Sequence, residues 1–456
     1  MLEKGVEDLK DLKLKTPIYD ALSGYSNSLH SSFHTPGHKS HVFDDSFFDI
    51  YKYDATELSV TDELYSPEGC ISEAEDNVTK LYGSFHTFFS VGGASQCVKT
   101  SLSFFAGKKV IFDRNIHFSA AAAIAFYGIE AVFVYGECND LTSIPEPPTV
   151  FDFKEALLKN SDAKAVFLTS PNYFGVSADC SAIRKLCDEF EVVFIDDNSH
   201  GAHYTFCQGV HNSAFDGHHA HVVIDSVHKT LPVMTGGALL HYNIPVSFSD
   251  VRRKMMAAGS TSPSFVLLAS LDYGVSLCFD RGFEFYTQQC VAVENLRNEL
   301  KNRGFVVTDG PNIDPLRLSV YFGENCDKVY RVLEQNNIYP EMQSNGFIVF
   351  IITPFNSRAD MELLRCTLLA QSPVCVTGNF DSSFVVPERG LSVREAFFAE
   401  KESVSISNAV GRISAEMVSF HRPPCIPLCL PGEKISECLS SVLLKNGCDT
   451  IDVVVE

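Results

Sequence analysis

The 456-residue chain has no tryptophan and only 7 methionines, and its 36 Lys and Arg are outnumbered by 57 Asp and Glu, for a formal charge of −21. So small a share of basic side chains argues against nucleic acid and anionic membrane surfaces as main partners, because both need a basic patch facing phosphate. An acidic field mildly favours cationic ligands, although acidity also serves solubility alone. The 15 cysteines, scattered from Cys70 to Cys448, are odd in number and include no CxxC pair. Neither a disulfide framework nor a zinc ribbon is expected; Cys425 and Cys429 form one CxxxC without a second pair or nearby His spacing. Reduced thiols and no metal are expected. The chain also lacks an uncharged apolar run of about eighteen residues, and Met1 to Asp8 carries charge where a signal peptide has an apolar stretch. A cytoplasmic location is the expectation. There is no internal repeat or low-complexity tract.

What is present is alternation. Val110-Ile111-Phe112, Ala131 to Val134, Ala165 to Leu168, Val192 to Ile195, Val222 to Ile224 and Ala238 to Leu240 read as strands. Helix formers lie between several of them, such as Ser119 to Tyr127 and Cys180 to Phe190, where Ile183, Leu186, Cys187 and Phe190 recur at helical spacing. Short apolar runs buried on both faces predict a mainly parallel sheet covered by helices, an α/β class. Beyond about Leu300 the pattern shortens to a strand at Leu318–Phe322, a helix at Cys326–Asn337, a strand at Phe347–Ile352 and a helix at Arg358–Gln371. A Pro/Gly/Ser-containing stretch from Ser372 to Gly390 precedes the last segment. The expected division is an N-terminal segment over 1–60, a large domain over 61–300, a small α+β domain over 301–373 and a C-terminal lobe over 374–456.

Two stretches one βαβ unit apart carry the chemistry. In Ile224-Asp225-Ser226-Val227-His228-Lys229-Thr230, a lysine leaves the end of an apolar strand into a Ser/His-rich loop, where partial desolvation keeps its amine able to condense with an aldehyde. In Phe194-Ile195-Asp196-Asp197-Asn198-Ser199-His200-Gly201, an acid ends the preceding strand and can hold a ring nitrogen protonated. Together they read as a pyridoxal phosphate site. Strand alternation points Asp196 and Asp197 to opposite faces, so one of them can face the ring, with Asp197 the stronger candidate. Ser90-Val91-Gly92-Gly93-Ala94-Ser95-Gln96 opens a helical run and offers free amides for a phosphate, though a GG turn is more often only a turn. His117, after the next strand, could stack on an aromatic cofactor or be a loop histidine satisfied by backbone. His200 and His203 lack an obvious third metal ligand, which favours structural hydrogen bonding.

The order of phosphate loop, stacking histidine, aspartate and lysine makes a resemblance visible. The chain resembles the Orn/Lys/Arg decarboxylase family of fold type I (aspartate aminotransferase-like) pyridoxal phosphate enzymes, in particular its short bacterial, arginine decarboxylase-like members without an N-terminal receiver-like wing domain. The motifs that carry it are His34-Thr35-Pro36-Gly37-His38-Lys39, Asp54-Ala55-Thr56-Glu57, Asp62-Glu63-Leu64, Pro67-Glu68-Gly69, Arg114-Asn115-Ile116-His117, His200-Gly201-Ala202-His203, Ser226 to Pro232 and Ser260 to Ser264. Late in the chain, Arg394 to Phe398, Gly411 to Glu416 and Pro431-Gly432-Glu433 look like the family's C-terminal signature, so the match runs from about Thr16 to Lys434. Three stretches depart from the usual pattern: Asp197-Asn198-Ser199-His200 stands for Asp-Glu-Ala-His, Pro171-Asn172-Tyr173-Phe174-Gly175 for Pro-Thr-Tyr-Tyr-Gly, and Cys425 for a glycine.

The resemblance implies a decarboxylase of a basic amino acid: arginine first, giving agmatine, then lysine, then ornithine. It implies that Lys229 holds pyridoxal 5'-phosphate covalently, Asp197 pairs with the pyridinium nitrogen and His117 stacks on the ring. Gly93, Ala94, Ser95 and Ser226 would hold the phosphate, His200 would belong to the cofactor-binding set, and His228 would help handle protons. A homodimer or higher homo-oligomer with the site at the interface is also implied. An aminotransferase or other lyase on the same fold, and a catalytically silent regulatory homologue, are the alternatives. Asp54, Glu57, Asp62, Glu63 and Glu433 are the candidate acids for the substrate's distal cation.

Overall fold

Short β-branched and aromatic runs flanked by helices pair in parallel wherever a crossover helix connects them, and seven of them do most of the building here. The computed structural model describes residues 31–33, 56–57, 61–137, 144–207, 209–344, 346–374, 387–419, 427–445 and 447–455. After β1 (Ser31–Phe33) come the main-sheet strands β2 (His86–Ser90), β3 (Lys109–Asp113), β4 (Glu130–Val134), β5 (Ala165–Thr169), β6 (Val193–Asp197), β7 (Val222–Asp225) and β8 (Ala238–Tyr242). Their order across the sheet is β2-β8-β7-β6-β5-β3-β4. β8 runs against both neighbours, and every other pair in this sheet is parallel. The α/β expectation holds.

Alternation along each strand sorts the core into two layers. On one face Phe112, Phe167, Ile195, Ile224 and Leu240 pack against the helices Gly93–Ser103, Phe118–Tyr127 and Phe248–Ala258. On the other, Ile111, Val166, Phe194 and Val223 pack against Val150–Lys159 and Cys180–Glu189. Most of these side chains are fully buried, each stabilising the fold by roughly 1.5–3 kcal/mol.

Strand β2 was not expected, because His-Thr-Phe-Phe-Ser contains no apolar run. Its polar groups are satisfied inside instead. Thr87 Oγ1 lies 2.8 Å from His241 Nδ1, and the backbone N–H of Phe89 donates to the buried Glu75 at 2.9 Å. In the following region, β9 (Arg317–Tyr321), β11 (Met342–Ser344) and β12 (Phe347–Ile351) form an antiparallel sheet in the order β11-β12-β9, after the short β10 (Ile338–Pro340). β1 adds in parallel to β10, Phe33 meets Phe350 edge-on at 5.9 Å, and Ser31 Oγ donates to Asp360 at 2.6 Å. The N-terminal strand is thereby part of the small sheet region rather than a separate arm.

The described cysteines are free thiols, and among the described residues no helix is long and apolar enough to cross a membrane. The motif His34 to Lys39, Asp54 and Ala55, and Pro423 to Ile426 lie outside the described residues.

The C-terminal segment is fastened by one buried ion pair. Arg114 donates to Glu433 from Nε at 3.0 Å and Nη2 at 2.9 Å, with side chains 4% and 0% exposed, and its Nη1 donates to Pro427 O at 3.1 Å. Removing one member leaves a buried charge without compensation. Glu433→Ala is therefore expected to lower stability by about 3–5 kcal/mol, and Arg114→Met combined with Glu433→Leu to cost clearly less. Urea unfolding of the three proteins checks this; equal losses in single and double variants would contradict it.

Candidate active site

Parallel strands present their carboxyl ends along one edge, and open α/β sheets place ligand sites there. Each candidate side chain leaves that edge. Gly93 follows β2, His117 follows β3, Tyr173 follows β5, Asp197 ends β6 with His200 just after it, and Lys229 sits in the turn Val227–Lys229 after β7. The start of β8 ties the loops together: Gly236 O accepts from the N–H of Gly93 at 2.9 Å, and Gly237 O accepts from His228 Nδ1 at 3.0 Å.

At the centre is a three-member chain. Lys229 Nζ is 2.9 Å from His200 Nε2, and His200 Nδ1 is 3.3 Å from Arg317 Nη2. A guanidinium only donates, so His200 Nδ1 accepts and the ring proton sits on Nε2. When Lys229 is deprotonated, that Nε2–H points at the lone pair of its amine, the state in which the nitrogen is a nucleophile. Burial, and then the charges of Lys229 and Arg317, hold His200 well below the usual histidine range, which agrees with a neutral ring. Tyr173 packs on His200 at 4.6 Å between ring centroids and lies 5.8 Å under Lys229 Nζ.

Arg317 and Tyr173 were not among the expected site residues. Arg317 is 1% exposed, and its Nε and Nη1 make no hydrogen bond. It reaches His200 because Gly175, at φ +86°, has no side chain: a Cβ there would come within 2.7 Å of Arg317 Cβ. His203 turns away, pairing with the buried Asp314 at 2.8 Å.

The two aspartates separate as alternation requires. Asp197 lies on the face of Ile195, accepts from Ser199 Oγ and feels the charge of Lys229; burial raises its carboxyl, and these contacts partly offset that. Asp196 faces Cys180 and Gly217, and burial followed by repulsion from Asp197 and Asp225 pushes it well above the carboxylate range. Asp196 is thus a buried acid on the far face whose ionisation is disfavoured.

His117 caps the helix Phe118–Tyr127, its Nδ1 accepting from the N–H of Ser119 at 3.1 Å. Burial, then the charge of Lys229, lowers it to about 4, which leaves a neutral aromatic ring at neutral pH. The helix Gly93–Ser103 begins with no side-chain cap, so the first-turn amides of Gly93, Ala94 and Ser95 lack intrahelical acceptors. A Cβ on Gly92 would meet Gln96 Oε1 at 2.7 Å, which explains the first glycine. Ser226 Oγ is 3.3 Å from His228 Nδ1.

Two candidate acids for the distal cation are engaged within the chain. Asp62 accepts backbone N–H groups from Glu63, Glu68, Gly69 and Ile71 at 2.8–3.0 Å, and these donors outweigh burial to hold it below the ordinary range. Glu433 is held by Arg114. Glu57, bonded to Thr56, and Glu63 lie where their surroundings are open.

With an uncapped helix N-terminus, a buried acid, a neutral imidazole and an amine on one sheet edge, the described residues fit pyridoxal phosphate. Comparison with known proteins identifies the family. The chain matches the major domain of the Orn/Lys/Arg decarboxylase family over residues 16–318 and its C-terminal domain over residues 387–444. It is 30% identical over 95% of its length, and 94% of the relative's, to a protein of Bacillus subtilis (strain 168) named arginine decarboxylase. Among solved structures, lysine decarboxylase A from Pseudomonas aeruginosa superposes with a TM-score of 0.76 at 19% identity, covering 96% of this chain and 80% of that one. A ureidoglycine-glyoxylate aminotransferase from Bacillus subtilis covers 75% of this chain and 92% of its own at a TM-score of 0.57 and 16% identity, a likeness of fold to the aminotransferases. The chain belongs to the Orn/Lys/Arg decarboxylase family.

Proposed function

We propose that the chain is a cytoplasmic, pyridoxal phosphate-dependent decarboxylase of basic amino acids, with arginine, giving agmatine and carbon dioxide, as its preferred substrate ahead of lysine and ornithine. The observation that carries the reading is the chain from Arg317 through His200 to Lys229 Nζ, beside Asp197 and His117. The preference for arginine rests on the curated relative of that name. A homodimer at least, with the site at its interface, belongs to the same reading.

The cofactor supplies the electron sink for the pair left behind when carbon dioxide departs. The chain supplies everything else. Lys229 offers the amine that attaches the cofactor, and Arg317 and His200 keep the lone pair of that nitrogen available. Asp197 holds a proton on the ring nitrogen, at a carboxylate that Ser199 orients. The neutral His117 ring would lie against the cofactor without adding a competing charge, and the amides of Ala94 and Ser95, with Ser226, would take the phosphate, the Gly93 N–H being held by Gly236 O. His228 donates a hydrogen bond from Nδ1 to Gly237 O, so in the neutral ring Nε2 is the atom at which it would take or return a proton.

Arg317 also supplies the one observation in favour of a transaminase or other lyase, since its Nη1, which makes no hydrogen bond, could hold a carboxylate that is retained, although its Nε already pairs with Asp314 at 3.6 Å. An amine-product assay across arginine, lysine and ornithine separates the readings. Agmatine with carbon dioxide is expected; a keto acid product would replace decarboxylation with transamination.

Lys229→Ala is expected to abolish turnover. Borohydride reduction of the wild type followed by peptide mapping should put the pyridoxyl group on Lys229, and finding it on another lysine would overturn the assignment.

Asp197→Asn is expected to retain much of the cofactor but to slow turnover by about three orders of magnitude, equivalent to ~4 kcal/mol of lost transition-state stabilisation. Asp196→Asn should be mild, because that side chain faces Cys180 and Gly217 on the face away from Lys229. The reverse order in measured kcat would contradict the facing of the two side chains. For the distal cation, the amide variants of Asp54, Glu57 and Glu63 are expected to include one that raises KM for arginine while cofactor occupancy stays unchanged; wild-type KM in all three would move the selector elsewhere.

A further inference from the structure

Three side chains outside the reaction site converge beneath it: His218 in the turn Gly217–His219, Asp225 at the end of β7 and His241 in β8. Their ligating atoms all lie within 4.8 Å of one another. Asp225 Oδ2 is 3.1 Å from His218 Nε2 and 3.3 Å from His241 Nε2. Donors bound to zinc at ~2.0–2.2 Å in a tetrahedral array stand about 3.4 Å apart, so two of the three edges already have the required length.

We infer that His218, Asp225 and His241 form a binding site for one divalent transition cation of the zinc class. The surroundings of the three ligands are those of a supported site. His218 Nδ1 is 2.8 Å from Asp216 Oδ1, His241 Nδ1 is 2.8 Å from Thr87 Oγ1, and Asn198 Nδ2 donates to Asp225 Oδ1 at 2.6 Å. With each Nδ1 engaged, each Nε2 can present its lone pair inward, and each ligand is oriented by a partner of its own. Asp225 and Asp216 bring two negative charges, which balance a dication. Two imidazoles favour zinc-like ions over magnesium or calcium.

A further buried group points the same way. The ring of Tyr82 lies on both imidazoles, at 5.2 Å from His218 and 4.6 Å from His241, and its hydroxyl is buried with no hydrogen-bond partner. His218 is 18% exposed at its side chain, which gives the ion a way in. A bound ion would join β7, β8 and the turn before β7, and so fix the strand end from which the Ser226–Lys229 loop departs. The expectation of no metal weighed only Cys425, Cys429, His200 and His203, none of which is a ligand here. Without an ion, the same geometry is satisfied by a second proton on His218, set between Asp216 and Asp225.

The test titrates Zn²⁺ into chelator-treated, full-length holoenzyme by calorimetry. One ion per chain is expected. His218→Ala and Asp225→Asn should each weaken binding by about a hundredfold or more, and Asp216→Asn by about ten- to a hundredfold through the lost orienting contact. The neighbouring His219→Ala should bind as the wild type does. Because the buried variants are prone to misfold, X-ray absorption on the zinc-loaded wild type provides an independent readout: two imidazoles and a carboxylate oxygen are expected. Absence of saturable binding to the wild type, unchanged binding by folded His218→Ala, or sulfur in the coordination shell would each overturn the proposal.

Discussion

The register between β6 and β7 is the constraint on which the site depends. Asp197 pairs with Ile224 and, on the other side, with Thr169 of β5. Neighbouring strands lie about 4.8 Å apart, so the acid and the loop bearing Lys229 leave adjacent strand ends at the same height. A slip of one residue would turn Asp196 to the Lys229 face and Asp197 to the far helices. The apolar neighbours forbid it, because Ile195 and Ile224 fill one layer and Phe194 and Val223 the other. The geometry of the candidate site is therefore specified by the hydrophobic packing of the residues that alternate with its polar groups.

That packing also makes two adjacent, chemically identical side chains behave differently. Asp196 is fully buried near two other carboxylates, and holding its proton avoids the cost of an unpaired charge in low dielectric. Asp197 is nearly as buried, yet the Ser199 hydroxyl and the Lys229 charge make ionisation less costly there. Asp225 is the third acid of this cluster; burial raises it, but the charge and hydrogen bond of His218 outweigh burial and hold it ionised. Each acid thus takes the protonation state that its own neighbours allow, not the one its residue type suggests.

Much of this was legible in the sequence where the signal was local. Six strands of the main sheet coincide with the apolar runs to within two residues at each end, because a strand buried on both faces needs such a run. β2 was illegible for the converse reason: its His, Thr and Ser are buried through partners such as His241, which lies 154 residues from Thr87. Arg317 escaped similarly. It opens a strand whose readable part begins at Leu318, and its partner His200 is 117 residues away. His218 and His241 sit in unremarkable contexts and acquire meaning only when β7 and β8 pair. The Lys229 loop and the Asp197 strand end marked the candidate site, and the resemblance assigned roles within it; single-residue patterns could not have located Arg317.

The ion pair of Arg114 with Glu433 connects the C-terminal lobe to the chemistry by a short lever, since Arg114 lies three residues before His117. It also bears on selectivity. A carboxylate has about four acceptor positions. Those of Glu433 are taken by Arg114 Nε and Nη2, the Leu430 N–H at 2.8 Å and Arg389 Nη2 at 3.5 Å. No capacity is left to read a substrate's distal cation. Asp62 is likewise spent on capping a helix. The acids that remain, Asp54, Glu57 and Glu63, all precede the main sheet in the chain. Under the proposed function, bond breaking belongs to the strand ends of the sheet, and the candidate acids for the distal cation lie earlier in the chain than those strands.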